Sequence, residues 1–141
     1  MIVTFLIEGE PTGKGRHRTT KKGNIHTPVK TTLYENWVKS VYINRVGEKL
    51  LNGPIKATIE AYYGIPKSKS KKAKELMMLH VTRPMKKPDV DNIAKVILDS
   101  LNGIAYRDDA QIVELQINKY YAELGFVKVT LEELEGEDDN T

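Results

Sequence analysis

The sequence has no cysteine, a single tryptophan, only two phenylalanines and three histidines. No apolar run approaches the about 18 residues needed to cross a bilayer. Without thiols there are no disulfides and no thiolate metal sites, so any metal must be held by oxygen or histidine. His17, His26 and His80 show no zinc-like spacing, which leaves oxygen. The opening MIVTFLIEGEP lacks the basic start and the cleavage site of a signal peptide. Together with the missing disulfides, this leads us to expect a soluble, cytoplasmic protein without membrane contact.

What is present is charge, unevenly placed. The net charge is +3 over 141 residues, yet residues 1–88 hold 18 Lys/Arg against 6 Asp/Glu and residues 89–141 hold 4 against 13. Such a split suits a polyanion partner gripped by one part of the chain, or else a solubilising surface. The stretch EPTGKGRHRTTKKGN has turn composition and no apolar residue, and reads as a basic loop. Gly9 just before it, with its own Gly13 and Gly15, is spaced somewhat like a phosphate loop. No Ser or Thr follows Lys14 and no helix follows directly, so nucleotide hydrolysis is rejected and no nucleotide cofactor is expected.

Periodicity organises the rest into one small mixed α/β domain over 1–131. IVTFLIEG reads as a strand buried on both faces, because apolar residues occupy both of its sides. Leu33, Trp37, Val38, Val41 and Tyr42 recur at helical spacing after Pro28, which predicts a helix over about 29–47. Ile55, Ala57, Ile59, Ala61 and Tyr63 alternate with polar neighbours, the pattern of a half-buried strand. KSKSKKAKELMMLH predicts a short helix capped by Ser68 or Ser70, with Leu76, Met77 and Leu79 facing the core. Lys69, Lys71, Lys72 and Lys74 crowd its positive N-terminal end, which a bound phosphate would make favourable. From Asp91 a further helix buries Ile93, Val96, Ile97, Leu101 and Ile104, and Gly103 supplies a left-handed end. Two strands follow, around Val113–Ile117 and Val127–Leu131, expected as an antiparallel hairpin turning at AELG. The order is β-α-β-α-α-β-β with a mixed sheet. The last ten residues carry six acids and are expected to form a disordered tail over 132–141.

The informative segment is KKPDVDNIAKVILDSLNG, where carboxylates gather at the mouth of a helix. Hard divalent cations such as Mg²⁺, with Mn²⁺ as a substitute, take one or two carboxylates and keep waters or substrate phosphates. If the chain stays extended through residue 90, Asp89 and Asp91 point the same way, and Lys95 projects one turn beyond Asp91. Asp108 or Asp109 would join them if the chain returns beside its own start. Each acid also has a plain reading. Asp91 would cap the helix or pair with Lys95, Asp99 would be a solvated helix-face residue, and RDD would be a turn.

The segments KKPDVDNIAKVILDSLNGIAYRDDAQIVEL, GEPTGKGRHR and HTPVKTTLYE resemble the RusA family of Holliday junction resolvases, over residues 5 to 131. The resemblance implies a homodimer that cuts four-way DNA junctions with Mg²⁺ held by aspartates, in recombination and repair or in prophage DNA processing. By position it assigns the catalytic, metal-holding acids to Asp89, Asp91 and Asp109, and the essential lysine to Lys95. It makes the basic loop, with Lys14, Arg16 and Arg18, a DNA-contacting element, alongside Lys69, Lys71 and Lys72 of the short helix. The readings left beside it are a metal nuclease for other branched DNA and a junction-binding protein without catalysis.

Overall fold

In the computed structural model, residues 1–15, 18–19, 25–26 and 28–136 are described, the second and third of these by backbone alone. Arg16, His17 and the residues of the acidic tail beyond 136 lie outside them, as does the side chain of Arg18. The elements are β1 Ile2–Glu8, β2 Arg18–Thr19, β3 Ile25–His26, α1 Val29–Val46, β4 Ile55–Gly64, α2 Lys71–Met78, α3 Val90–Ser100, β5 Ile112–Ala122 and β6 Phe126–Glu133. A 3₁₀ turn over Asp109–Gln111 leads into β5. The mixed α/β class and the element order are as the sequence implies, with the short β2 and β3 added as an antiparallel pair. Among the described residues no helix is long and apolar enough to cross a membrane.

The main sheet has the order β1-β6-β4-β5. This corrects the expected C-terminal hairpin, because β5 and β6 flank β4 and do not pair with each other. β5 runs parallel to β4, and β6 runs antiparallel to both β4 and β1. β4 is the central strand, its backbone paired with β5 over Ile55–Gly64 on one edge and with β6 over Ile55–Tyr62 on the other, so the groups of both edges are satisfied. Residues 123–125 link β5 to β6 across the end of β4, a gap of two strand spacings or about 10 Å, which an extended link of that length spans. A parallel neighbour demands a long crossover, and the chain between β4 and β5 supplies it with α2 and α3.

α1 and α3 contribute to the core on the sheet face of Phe5, Ile59 and Val129. Val3, Phe5 and Ile7 of β1 are buried while Ile2 and Leu6 are exposed, so β1 is a one-sided edge strand and not a strand buried on both faces. α1 buries Val38 and Tyr42 but leaves Leu33 and Trp37 largely outside, where the Trp37 indole N–H donates to the Glu8 carbonyl at 3.2 Å. In α2 the Ser70 hydroxyl caps the helix, accepting from the Ala73 amide at 3.2 Å, but only Met77 is buried and Leu79 is exposed. α2 is too short and peripheral for a wider apolar face.

α3 is the helix most deeply embedded. Ile93, Val96, Ile97 and the following Leu101 are fully buried, each contributing about 1.5–3 kcal/mol of transfer free energy. Gly103 adopts φ 75°, the left-handed conformation that lets the chain turn back after the helix. At its start, the Tyr63 hydroxyl of β4 donates to the Pro88 carbonyl at 2.8 Å. Near its end, the buried Tyr106 hydroxyl donates to the Leu98 carbonyl at 2.6 Å. Both termini of α3 are thereby fixed against the core.

β6 continues to Glu133, past the boundary at 131 read from the sequence. The Glu133 carboxylate accepts from the Asn52 amide at 2.8 Å and lies 3.4 Å from the N-terminal ammonium. The Leu134 amide then donates to the Pro54 carbonyl at 2.8 Å. The first acids of the apparent tail are therefore part of the sheet.

Candidate active site

Asp89 occupies the N-cap position of α3, with φ −72° and ψ 158°, yet its carboxylate makes no capping hydrogen bond. The side chain is exposed and free for another task. Val90 is already helical, so Asp89 and Asp91 are not two residues of one extended strand. Strand alternation is therefore not what relates their side chains. Asp91 lies in the first turn, where the helix dipole favours a negative charge. Lys95 is exposed and outside ion-pairing distance of Asp91; the two ion pairs among the described residues are elsewhere.

The pair after α3 divides its labour. Asp108 caps the 3₁₀ turn, its Oδ1 accepting from the Ala110 amide at 2.8 Å, while Gln111 Oε1 accepts from the Asp108 amide at 3.3 Å. The Ala110 amide bond holds its carboxyl below the ordinary aspartate value. This is the turn reading of RDD, and it applies to Asp108 alone. The Asp109 amide donates to Asn102 Oδ1 at 2.8 Å, and its side chain faces Asp99. Burial, then hydrogen-bonding contact with Asp108 and with Asp99, pushes the Asp109 carboxyl up.

Asp99 reads from the sequence as a helix-face residue and is instead a junction. Its Oδ2 accepts from Lys14 Nζ at 2.7 Å, so Lys14 of the basic loop is an anchor in this structure. The loop is docked at further points: the Lys14 amide donates to Asn92 Oδ1 at 3.0 Å, and the Gly15 amide to the buried Thr31 hydroxyl at 2.8 Å. A Cβ on Gly13 would run into Asn92 Nδ2 and come within 2.9 Å of Pro88 Cβ. Only glycine allows so close an approach. Between this loop and the N-termini of α1 and α3 lies a cleft of about 760 Å³, with Lys30, Lys87, Asn92 and Asp89 in its walls. Lys119 of β5 lies near Asp89, burial pulling its ammonium down while the carboxylate draws it up.

One chain thus brings Asp99 and Asp109 together at the C-terminal end of α3 and leaves Asp89 and Asp91 at the other. Asp91 and Asp99 are eight residues apart, about 12 Å of helical rise. Among the described residues no three acid or histidine side chains converge as a metal cage. By chemistry the donor set fits a hard cation, since it is all carboxylate. By position it fits only if acids from both ends of α3 can meet. Lys69, Lys71 and Lys72 are exposed at the start of α2, away from this cleft and clear of the ion pairs. Asn92, Asn102 and Asp99 are the residues that sequence reasoning missed as contributors; their partners are far off in sequence or, for Asn102, across a turn.

The family model of endodeoxyribonuclease RusA matches residues 8–132. A Bacillus subtilis (strain 168) protein, YqaN, described as uncharacterized, is 36% identical over 137 residues, 94% of this chain and 96% of its own length. RusA enzymes are metal-dependent nucleases that bind branched DNA and resolve Holliday junctions. This chain belongs to the RusA family and is an endodeoxyribonuclease.

Proposed function

We propose that the protein is a Mg²⁺-dependent, homodimeric Holliday junction resolvase of the cytoplasm, acting in DNA recombination and repair, with Asp89, Asp91, Asp109 and Lys95 as its catalytic residues. The observation that carries this is the idle carboxylate of Asp89, a residue in a capping position that caps nothing and borders a cleft walled by lysines. A free N-cap carboxylate forgoes about 1 kcal/mol of capping, and coordination of a cation is a use that offsets the loss. The bound Mg²⁺, for which Mn²⁺ would substitute, would activate water and neutralise charge on the scissile phosphate. Asp89, Asp91 and Asp109 would hold it, and the acid separation along α3 makes the dimer part of the site, each chain offering one end of its helix to the other.

Lys95, exposed and outside every ion pair described, is available to a phosphate oxygen or the leaving oxygen, where its charge acts on rate. Lys30 and Lys87 in the cleft, and Lys69, Lys71 and Lys72 on α2, would take backbone phosphates without reading sequence. Arg16 and Arg18 remain proposed phosphate contacts on the strength of the resemblance.

The test is a synthetic four-way junction incubated with and without Mg²⁺. Symmetric cuts only with the metal support the proposal; binding that is indifferent to Mg²⁺ with the junction left whole refutes it. Asp91→Asn and Asp109→Asn should each bind without cutting. Mixed, they should regain cleavage, because a heterodimer would keep one site with both acids intact. No recovery on mixing would place all ligands of a site in one chain.

A further inference from the structure

Between α2 and α3 the segment 79–87 carries the most exposed large apolar side chain among the described residues. Met85 is 98% exposed, with Leu79 at 71% and Val81 at 68% nearby. The backbone around it is tightly held. Arg83 Nε donates to the Lys119 carbonyl at 2.6 Å, and its guanidinium lies 4.2 Å from the Tyr120 ring centroid. Pro84 is buried. Lys119 Nζ donates to the Lys86 carbonyl at 2.5 Å, and the Lys86 ammonium sits 5.6 Å from the Tyr63 ring centroid. Residues on both sides of Met85 are therefore fastened to β4 and β5, while Met85 itself projects into solvent.

The surroundings say what such a tip would meet. Residues 67–88 carry eight Lys/Arg against one Glu, and Asp89 follows Met85 by four residues. An apolar protein partner would have to desolvate those cations; a polyanion is drawn to them. An apolar tip set among phosphate-attracting cations matches the chemistry of a nucleic acid, charged along its backbone and apolar on the faces of its bases.

Resting on the function proposed above, we infer that Met85 is a wedge that inserts between base pairs at the branch point of a four-way junction. Unstacking a base step costs a few kcal/mol in continuous duplex and least where stacking is already interrupted, so a wedge favours branched over linear DNA. Methionine suits the role, being unbranched, polarisable and flexible at its end. Cations of the same segment would hold the flanking phosphates, with the tip four residues before Asp89.

The experiment uses a four-way junction carrying 2-aminopurine beside the branch point, in EDTA so that nothing is cut, with wild type, Met85→Ser and Met85→Leu. Wild type and Met85→Leu should raise the fluorescence as the base unstacks, and Met85→Ser should not. In Mg²⁺, Met85→Ser should cut junctions about tenfold more slowly while its affinity for linear duplex is unchanged, since the phosphate contacts remain. Equal fluorescence and equal cutting by Met85→Ser overturn the wedge. A fall of Met85→Ser to half the wild-type mass in sedimentation overturns it as well, by assigning Met85 to contact with a second copy of the chain. Wild type that leaves the junction whole in Mg²⁺ rejects the underlying function and the wedge together, whereas wild type that cuts without a fluorescence change rejects the wedge alone.

Discussion

Lys14→Met and Asp99→Asn, singly and together, address the ion pair that ties the basic loop to the end of α3. The partners stand 2.7 Å apart with side chains 21% and 27% exposed. Fully exposed pairs contribute about 0.2–1 kcal/mol and well-shielded charged hydrogen bonds about 1.5–3, so partial shielding places this one near 1–2 kcal/mol. The two halves are not equivalent. Lys14→Met leaves Asp99 facing Asp109 with no counter-charge, and should cost about 2 kcal/mol. Asp99→Asn removes the pair but also the repulsion, and should cost about 1 kcal/mol. In the double variant no bare carboxylate is left opposite Asp109, so it should be no less stable than Lys14→Met. That is a coupling of about 1 kcal/mol or more between the two positions.

In a chain of this length 1 kcal/mol moves Tm by about 3 °C, so thermal or urea unfolding resolves the series. Strictly additive losses, within about 0.3 kcal/mol, would refute the pairing. Hydrogen bonding to Asp99 raises the Lys14 pKa above its ordinary 10.5. A raised cationic pKa gives stability that is complete below 10.5 and fades as pH climbs through the folded value, so the coupling should disappear only at strongly alkaline pH. DNA binding gives an independent check. An ammonium already committed to a carboxylate releases no counterion, so Lys14→Met should leave the salt slope of junction binding unchanged. A slope lower by about one would make Lys14 a phosphate contact after all.

Neutralising Lys69, Lys71 and Lys72, by contrast, should lower that slope by roughly one unit for each phosphate left without its lysine, and an unmoved slope would remove α2 from the DNA surface. Glu133 is held below the ordinary carboxylate value, first by the Asn52 amide. A depressed acid gives stability present above the unfolded value of 4.5 and lost as pH falls through the folded one, so Glu133→Gln should flatten acid unfolding below pH 4.5. Truncation after 136 should keep the fold and tighten DNA binding modestly at low salt, where unscreened tail acids reach furthest. Truncation after Leu131 removes the end of β6 with the Glu133 contacts and should lower Tm; equal stability of the two products would return Glu132 and Glu133 to the tail.

Periodicity could find the elements because each signal is local. Val96, Ile97 and Leu101 declare a buried helix face by spacing alone, and Ser70 and Gly103 mark a start and an end by their own conformational preferences. Adjacency is not local. β5 followed by a short turn and β6 has the pattern of a hairpin, and nothing in either strand says that β4, some fifty residues earlier, will come between them. The candidate site divides in the same way. Asp89, Asp91, Lys95 and Asp109 are visible from a local cluster and from the family motif. What the fold adds is their grouping: helical rise moves Asp91 away from Asp109, while Lys14 arrives beside Asp99 from 85 residues away. That anchor also explains the glycines on either side of Lys14. By composition they belong to a basic loop facing DNA, and the structure uses Gly13 to lay that loop flat against Asn92 and Pro88. A basic segment rich in glycine is therefore ambiguous by composition, since close packing and free motion call for the same residue. Here the hydrogen bonds of Lys14 and Gly15 decide for packing, which makes residues 11–15 a fixed wall of the cleft beside Asp89.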